Sequence, residues 1–226
     1  MTTFDLAEVG LRELNAALHD PGCEGERFRV LNPRGSHALA VGAVAGADVE
    51  IEGHAGYYCA GMNQHARIRV HGNAGVGVAE NMMSGTVVVE GDASASAGAT
   101  AHGGTLVVNG SAAARCGISL KGADIVVRGS VGHLSAFMAQ SGRLLVCGDA
   151  GDALGDSIYE ARLYVRGTVR GLGADCVEKE VRDEHLAEIA ELLERAGIDD
   201  VAPGEFRRYG SARTLYHWNA DHHQSY

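Results

Sequence analysis

The feature that most constrains this chain is a five-residue phrase, aliphatic–x–aliphatic–x–glycine, repeated at a fixed interval. It opens as Val49-Glu50-Ile51-Glu52-Gly53 and closes as Leu163-Tyr164-Val165-Arg166-Gly167, with its glycines at 53, 72, 91, 110, 129, 148 and 167. Every step is 19 residues, without insertion. Other positions keep the same beat. Two residues after the glycine stands a small apolar residue (Ala55, Ala74, Ala93, Ala112, Val131, Ala150, Val169), and seven after it Ala or Gly. Ten after it the residue is mostly apolar, with Asn63 as the first-coil exception. Internal repetition of this kind decides architecture before local propensity does. Nineteen residues are too few for paired helices or for a four-stranded blade. They suffice for one coil that climbs by a single strand spacing. The spacing predicts a mainly β chain: a right-handed, single-stranded parallel β-helix of seven coils plus a lead-in coil, flanked by N- and C-terminal helices. The composition agrees, because 46% hydrophobic residues with only 5% aromatics leave Val, Ile, Leu and Ala to build the core. The 32 glycines are expected at corners, where a positive φ is needed.

On either side of the repeat the pattern changes. Residues 1–26 form an N-terminal helix and lead-in, with a helix over 2–19 carrying Phe4, Ala7, Leu11, Leu14 and Leu18 on one face. Residues 27–180 form the β-helix; its lead-in coil aligns Val30 with Val49, 19 residues on. Residues 181–226 form a C-terminal helix over 182–196, stopped at Gly197, and a polar tail with Tyr209, Tyr216 and Trp218 that packs against the body or a neighbour.

Charge and cysteines exclude several function classes. A net charge of −10 with two lysines argues against nucleic-acid partners. There is no apolar run of membrane-spanning length and no signal peptide, so a cytoplasmic protein with no membrane partner is expected. Cys23, Cys59, Cys116, Cys147 and Cys176 form no CxxC pair and read as reduced, packed thiols.

The usual signatures of chemistry are incomplete. Gly72-Asn73-Ala74-Gly75-Val76-Gly77 and Gly171-Leu172-Gly173 contain GxG, but both fall on the 19-residue rhythm and neither leads into a helix. His54, His65 and His71, and His217, His222 and His223, lack metal-site spacing. Arg115 beside Cys116 would lower that thiol's pKa. Asp149, Asp152, Asp156 and Glu160 read as solvated corners. No catalytic, cofactor-binding or metal-binding residue is expected.

One column stands out. Three residues before each glycine the side chain should face outward, yet from the third coil on it is apolar: Val88, Val107, Val126, Leu145 and Tyr164. Such a stripe requires cover, from the chain's own terminal helix or from a partner, and these five residues are the candidate partner interface.

The residues also carry a resemblance. Tyr57-Tyr58-Cys59-Ala60-Gly61-Met62-Asn63, the stretch Gly72 to Gly85, and Ala114-Arg115-Cys116-Gly117-Ile118-Ser119 resemble the GXGXG-domain family. So do Val131 to Gln140, Gly148 to Glu160, and Leu172 to Glu180. That family includes the C-terminal domain of the glutamate synthase large subunit and the GXGXG-bearing component of formylmethanofuran dehydrogenase. The likeness is strongest to the stand-alone glutamate-synthase-like subunits of methylamine–glutamate N-methyltransferase (N-methylglutamate synthase) complexes. It implies a non-catalytic scaffold bridging a glutaminase-like (class II amidotransferase) subunit and an FMN-binding glutamate-synthase-like subunit. The complex would convert methylamine and glutamate to N-methylglutamate and ammonia. It implies no cofactor in this chain, with FMN, alone or beside an iron–sulfur cluster, in the partner synthase subunit. The alternatives are the GXGXG-bearing component of a formylmethanofuran dehydrogenase-type complex and a β-helix enzyme in its own right.

Overall fold

The structure, a computed structural model, describes residues 1–214; Tyr216, Trp218, His217, His222 and His223 lie outside the described residues. It is a parallel β-solenoid with two helices. The strands are β1 (Thr2–Asp5), β2 (Arg27–Leu31), β3 (Asp48–Ile51), β4 (Arg67–Val70), β5 (Thr86–Val89), β6 (Thr105–Val108), β7 (Lys121–Val127), β8 (Ser141–Val146), β9 (Arg162–Val165), β10 (Cys176–Lys179) and β11 (Arg207–Ser211). The helices are α1 (Leu11–Leu18) and α2 (Asp183–Arg195). From β3 to β9 the parallel register follows the sequence period: Val49 faces Ile68, then Val87, Leu106, Ile125, Leu144 and Leu163. A second, thinner ladder of single bridges joins Ala55, Ala74, Ala93, Ala112, Val131, Ala150 and Val169. The inward columns make one continuous core, and Asn63 sits in it fully buried. Its amide satisfies the corner backbone, donating to Ala66 O (2.8 Å) and accepting from Ala66 N (3.1 Å), so the exception costs no lost hydrogen bond.

The glycine ladder has a different cause from the one expected. Only Gly53 of the seven has a positive φ. The others are glycine because the coil beneath is too close: a Cβ on Gly129 would sit 2.7 Å from Gly110 O, and one on Gly148 2.6 Å from Gly129 O. Positive φ instead recurs five, seven and nine residues after the glycine. It is borne there mostly by ordinary residues such as Tyr58, Ala60 and Met62, or Leu134, Ala136 and Met138. Inter-coil hydrogen bonds hold these left-handed residues in place: Tyr58 N donates to Val76 O, Ala60 N to Leu39 O, and Met62 N to Glu80 O, each at 2.8 Å.

Three flanking expectations are corrected. The helix expected over 2–19 is confined to Leu11–Leu18, while residues 2–5 form β1 beside β2. Phe4 and Leu11 fit a helical face, but pairing with an open sheet edge wins over local periodicity. In the lead-in coil Val30 pairs with Ile51 rather than Val49, so this coil is 21 residues long (51 − 30). The tail segment 207–211 is a strand, β11, inserted antiparallel between β9 and β10. The expected second helix is present as α2, and Gly197 (φ 67°) follows it.

α1 closes the first coils through buried Leu14 and Leu18, with the Asn15 amide donating to Ala38 O (2.9 Å). α2 crosses the outer side of the sheet. No helix among the described residues is long and apolar enough to cross a membrane.

Candidate interaction surfaces

The outward column divides along the sheet. Val126, Leu145 and Tyr164 are fully buried in a second small core with Ile189, Leu192, Leu193, Ile198 and Phe206. Val107 is also buried, whereas Val88 is half exposed. The apolar stripe is thus closed by the chain's own α2 and the segment after it, and as an open partner interface the column is corrected: of its five residues Val88 alone keeps appreciable exposure. An ionic network pins the helix. Arg143 makes a bidentate pair with Asp124 (2.7 and 2.6 Å) and reaches Glu191 (3.0 Å). Arg195 adds a bond to Asp124 (3.0 Å). These partners raise the Arg143 pKa, with the Asp124 hydrogen bonds the leading cause. Tyr164 donates to Glu188 (2.5 Å), so the one phenol in the covered stripe has its hydroxyl satisfied.

The other half of the same sheet face is charged and open. Arg29 pairs with Glu52 (2.8 Å), His71 with Glu50 (2.5 Å), Arg69 with Glu90, and Asp48 lies between Arg27 and Arg67 (3.8 and 3.3 Å). A groove of about 570 Å³ runs here between Met1, Val88 and the end of α2 at Arg195.

A third surface is built from the turn segments. Tyr57 and Val76, four residues after their glycines, stand on neighbouring coils and are about half exposed (50% and 42%). Tyr57 stacks on Tyr58 (5.6 Å between ring centroids) and meets His37 edge-on (6.3 Å). Met62 and Met83 are exposed close by in sequence, and Ile118, Phe137 and Met138 continue the turn positions, half exposed, on later coils. Glu80 lies among these turns with its pKa raised by burial.

The polar residues singled out in the sequence serve the fold and are not brought together. His54 Nδ1 accepts from Asn73 N (2.9 Å), His65 meets Ser84, and His71 meets Glu50, so the three belong to different columns. Asp149 accepts from Thr168 N (2.7 Å), Asp152 pairs with Arg170 (3.3 Å), Asp156 accepts from Ala174 N (3.1 Å), and Glu160 pairs with Arg213 (3.0 Å). Cys116 is not activated by Arg115; burial pushes its thiol, like that of Cys59, up to about 12. Among the described residues no group of three or more His, Cys, Asp or Glu side chains is arranged to hold a metal ion.

One ladder is visible only in three dimensions, although its signal is present in the sequence. The residue after each glycine is His54, Asn73, Asp92, Ser111, Ser130, Asp149 or Thr168, always one able to form a hydrogen bond. Each of the first six accepts, through its side chain, the backbone N–H of the same position one coil later, at 2.7–3.1 Å. The bare glycines leave room for these side chains.

The chain is 61% identical to Protein GlxC of Rhizobium meliloti (strain 1021) over 228 residues, an alignment that covers all of both proteins. No protein-family profile matches the sequence.

Proposed function

The chain belongs to the family of that GlxC protein, and from this premise we propose that it is a non-catalytic structural subunit of a glutamate-synthase-type complex. It holds a glutaminase-like subunit and an FMN-binding synthase subunit at a fixed separation. The complex is N-methylglutamate synthase, which joins methylamine to glutamate and releases ammonia. The relative's name specifies no reaction; this assignment draws on the GXGXG resemblance of the coils. The observation that carries the scaffold reading is the exposed turn face. Tyr57 and Met62 present an aromatic and a thioether side chain of the kind enriched at protein interfaces, beside the exposed aliphatic Val76, on backbone that inter-coil hydrogen bonds hold rigid.

The test is affinity purification of the tagged full chain from its native cells. Two partners of the stated classes should co-purify, with flavin absorbance in the complex and none in the isolated chain. The double variant Tyr57→Ser/Val76→Ser should lose them while its circular dichroism is unchanged. Flavin retained by the isolated chain, or N-methylglutamate formed by it alone, overturns the reading.

A further inference from the structure

At the C-terminal end of the solenoid, β9, β10, β11 and the start of α2 enclose a cleft of about 450 Å³. Its size falls within the range of small-molecule sites. Five cations line it, Arg162, Lys179, Arg182, Arg208 and Arg213, against the carboxylates of Glu160 and Glu184. This is a local reversal of sign in a chain of net charge −10. Three of the five are neutralised by neighbours: Arg162 by Glu188, Arg182 by Glu180, and Arg213 by Glu160. The other two are not. Among the described residues Lys179 has no ion pair. Among the described residues Arg208 likewise has only the Glu180 carbonyl (3.3 Å), and its buried Nε is without a partner there. A buried guanidinium N–H left unpaired is costly, so the described fold does not itself satisfy Arg208. Buried His185 on the cleft wall reports the same field: burial lowers its pKa, and the charge of Arg208 lowers it further.

We propose that this cleft binds a small oxyanion ligand, a molecule presenting a carboxylate or a phosphate group to Arg208 and Lys179. Arginine's planar fork matches either group, and both compete for the same donors. The site is independent of the scaffold reading, since it needs no partner protein and lies away from Tyr57 and Val76 in the coil order.

The full chain is titrated with inorganic phosphate and, separately, with succinate, at ionic strength held constant with chloride. Calorimetry gives the affinity, and the thermal midpoint gives the stabilisation that follows from binding the native state. At least one anion should bind saturably with one site per chain, and the stronger of the two identifies the source of the oxyanion. Arg208→Gln and Lys179→Gln should each weaken binding about tenfold or more, while Arg67→Gln on β4 should leave it unchanged. Lys179→Gln carries the test if Arg208→Gln disturbs β11, as judged by circular dichroism. Absence of saturable binding up to roughly 10 mM of either anion, or equal binding by a folded Lys179→Gln chain, overturns the proposal.

Discussion

The outer side of one continuous sheet is built in two ways. Over β7 to β9 it carries Val126, Leu145 and Tyr164 and is sealed by α2; over β2 to β5 it carries mainly charge and lies open. The difference follows from what stacking in register permits. An apolar column can repeat itself rung upon rung, but a charged column cannot, because like charges directly opposite repel. The open half therefore alternates sign along the stack, Arg27, Asp48, Arg67 in one column and Arg29, Glu50, Arg69 in the next, while the third sets His71 between Glu52 and Glu90. Such a surface neutralises itself and leaves no need for a covering helix. The apolar half gains more per rung but obliges the chain to supply α2, the segment after it with Ile198 and Phe206, and the network around Asp124.

The comparison can be broken or sharpened by substitution. The largest effect is expected beneath α2. Leu145→Asp places an unpaired charge in the small core and should cost about 4 kcal/mol, measured by denaturant unfolding; a loss below about 1 kcal/mol would show that α2 is not firmly docked. Asp124→Ala strips Arg143 and Arg195 of their shared partner and should cost about 3 kcal/mol. Its signature is early exchange of α2 amides while those of β3 to β5 stay protected. On the open half, Glu50→Arg creates a column of three arginines and should cost about 1 kcal/mol or less at low salt. That loss should shrink as salt is added, and one insensitive to salt would mean the charges do not act through their mutual field.

The smallest effect concerns His185. Burial and Arg208 hold its folded pKa below the ordinary 6.5, so protons favour the unfolded chain. Its contribution to stability is complete above about pH 6.5 and is lost as pH falls through the lowered folded value. His185→Gln, which keeps an acceptor for Arg182 N, should flatten the unfolding midpoint below about pH 6.5; an unchanged slope would assign the acid sensitivity to another group.

What the sequence revealed, and what it hid, divides by the range of the forces involved. The strands, their register and the coil core are repeated local statements, and Val49 to Val165 state them seven times. α2 was legible from Leu186, Ile189 and Leu193 with Gly197 after them. β1 was not, because Phe4 and Leu11 satisfy a helical period and only the neighbouring edge of β2 makes residues 2–5 a strand. β11 was hidden for the same reason: Arg207-Arg208-Tyr209-Gly210-Ser211 has weak strand propensity and owes its form to the gap between β9 and β10. The glycine ladder was seen but its cause was not, since the approach of one backbone to the next coil is a distance no single repeat contains. For the interaction surfaces, the column from Val88 to Tyr164 showed that something must cover it without showing what. Tyr57 and Val76 carry no such signal, because only the stacking of coils makes them neighbours.

The side chains from His54 to Asp149 have a consequence for how the molecule is made. All six bonds point the same way, with the acceptor on the earlier coil and the N–H on the later one. A chain emerging from the ribosome N-terminus first therefore always presents a finished docking point to the coil still being synthesised.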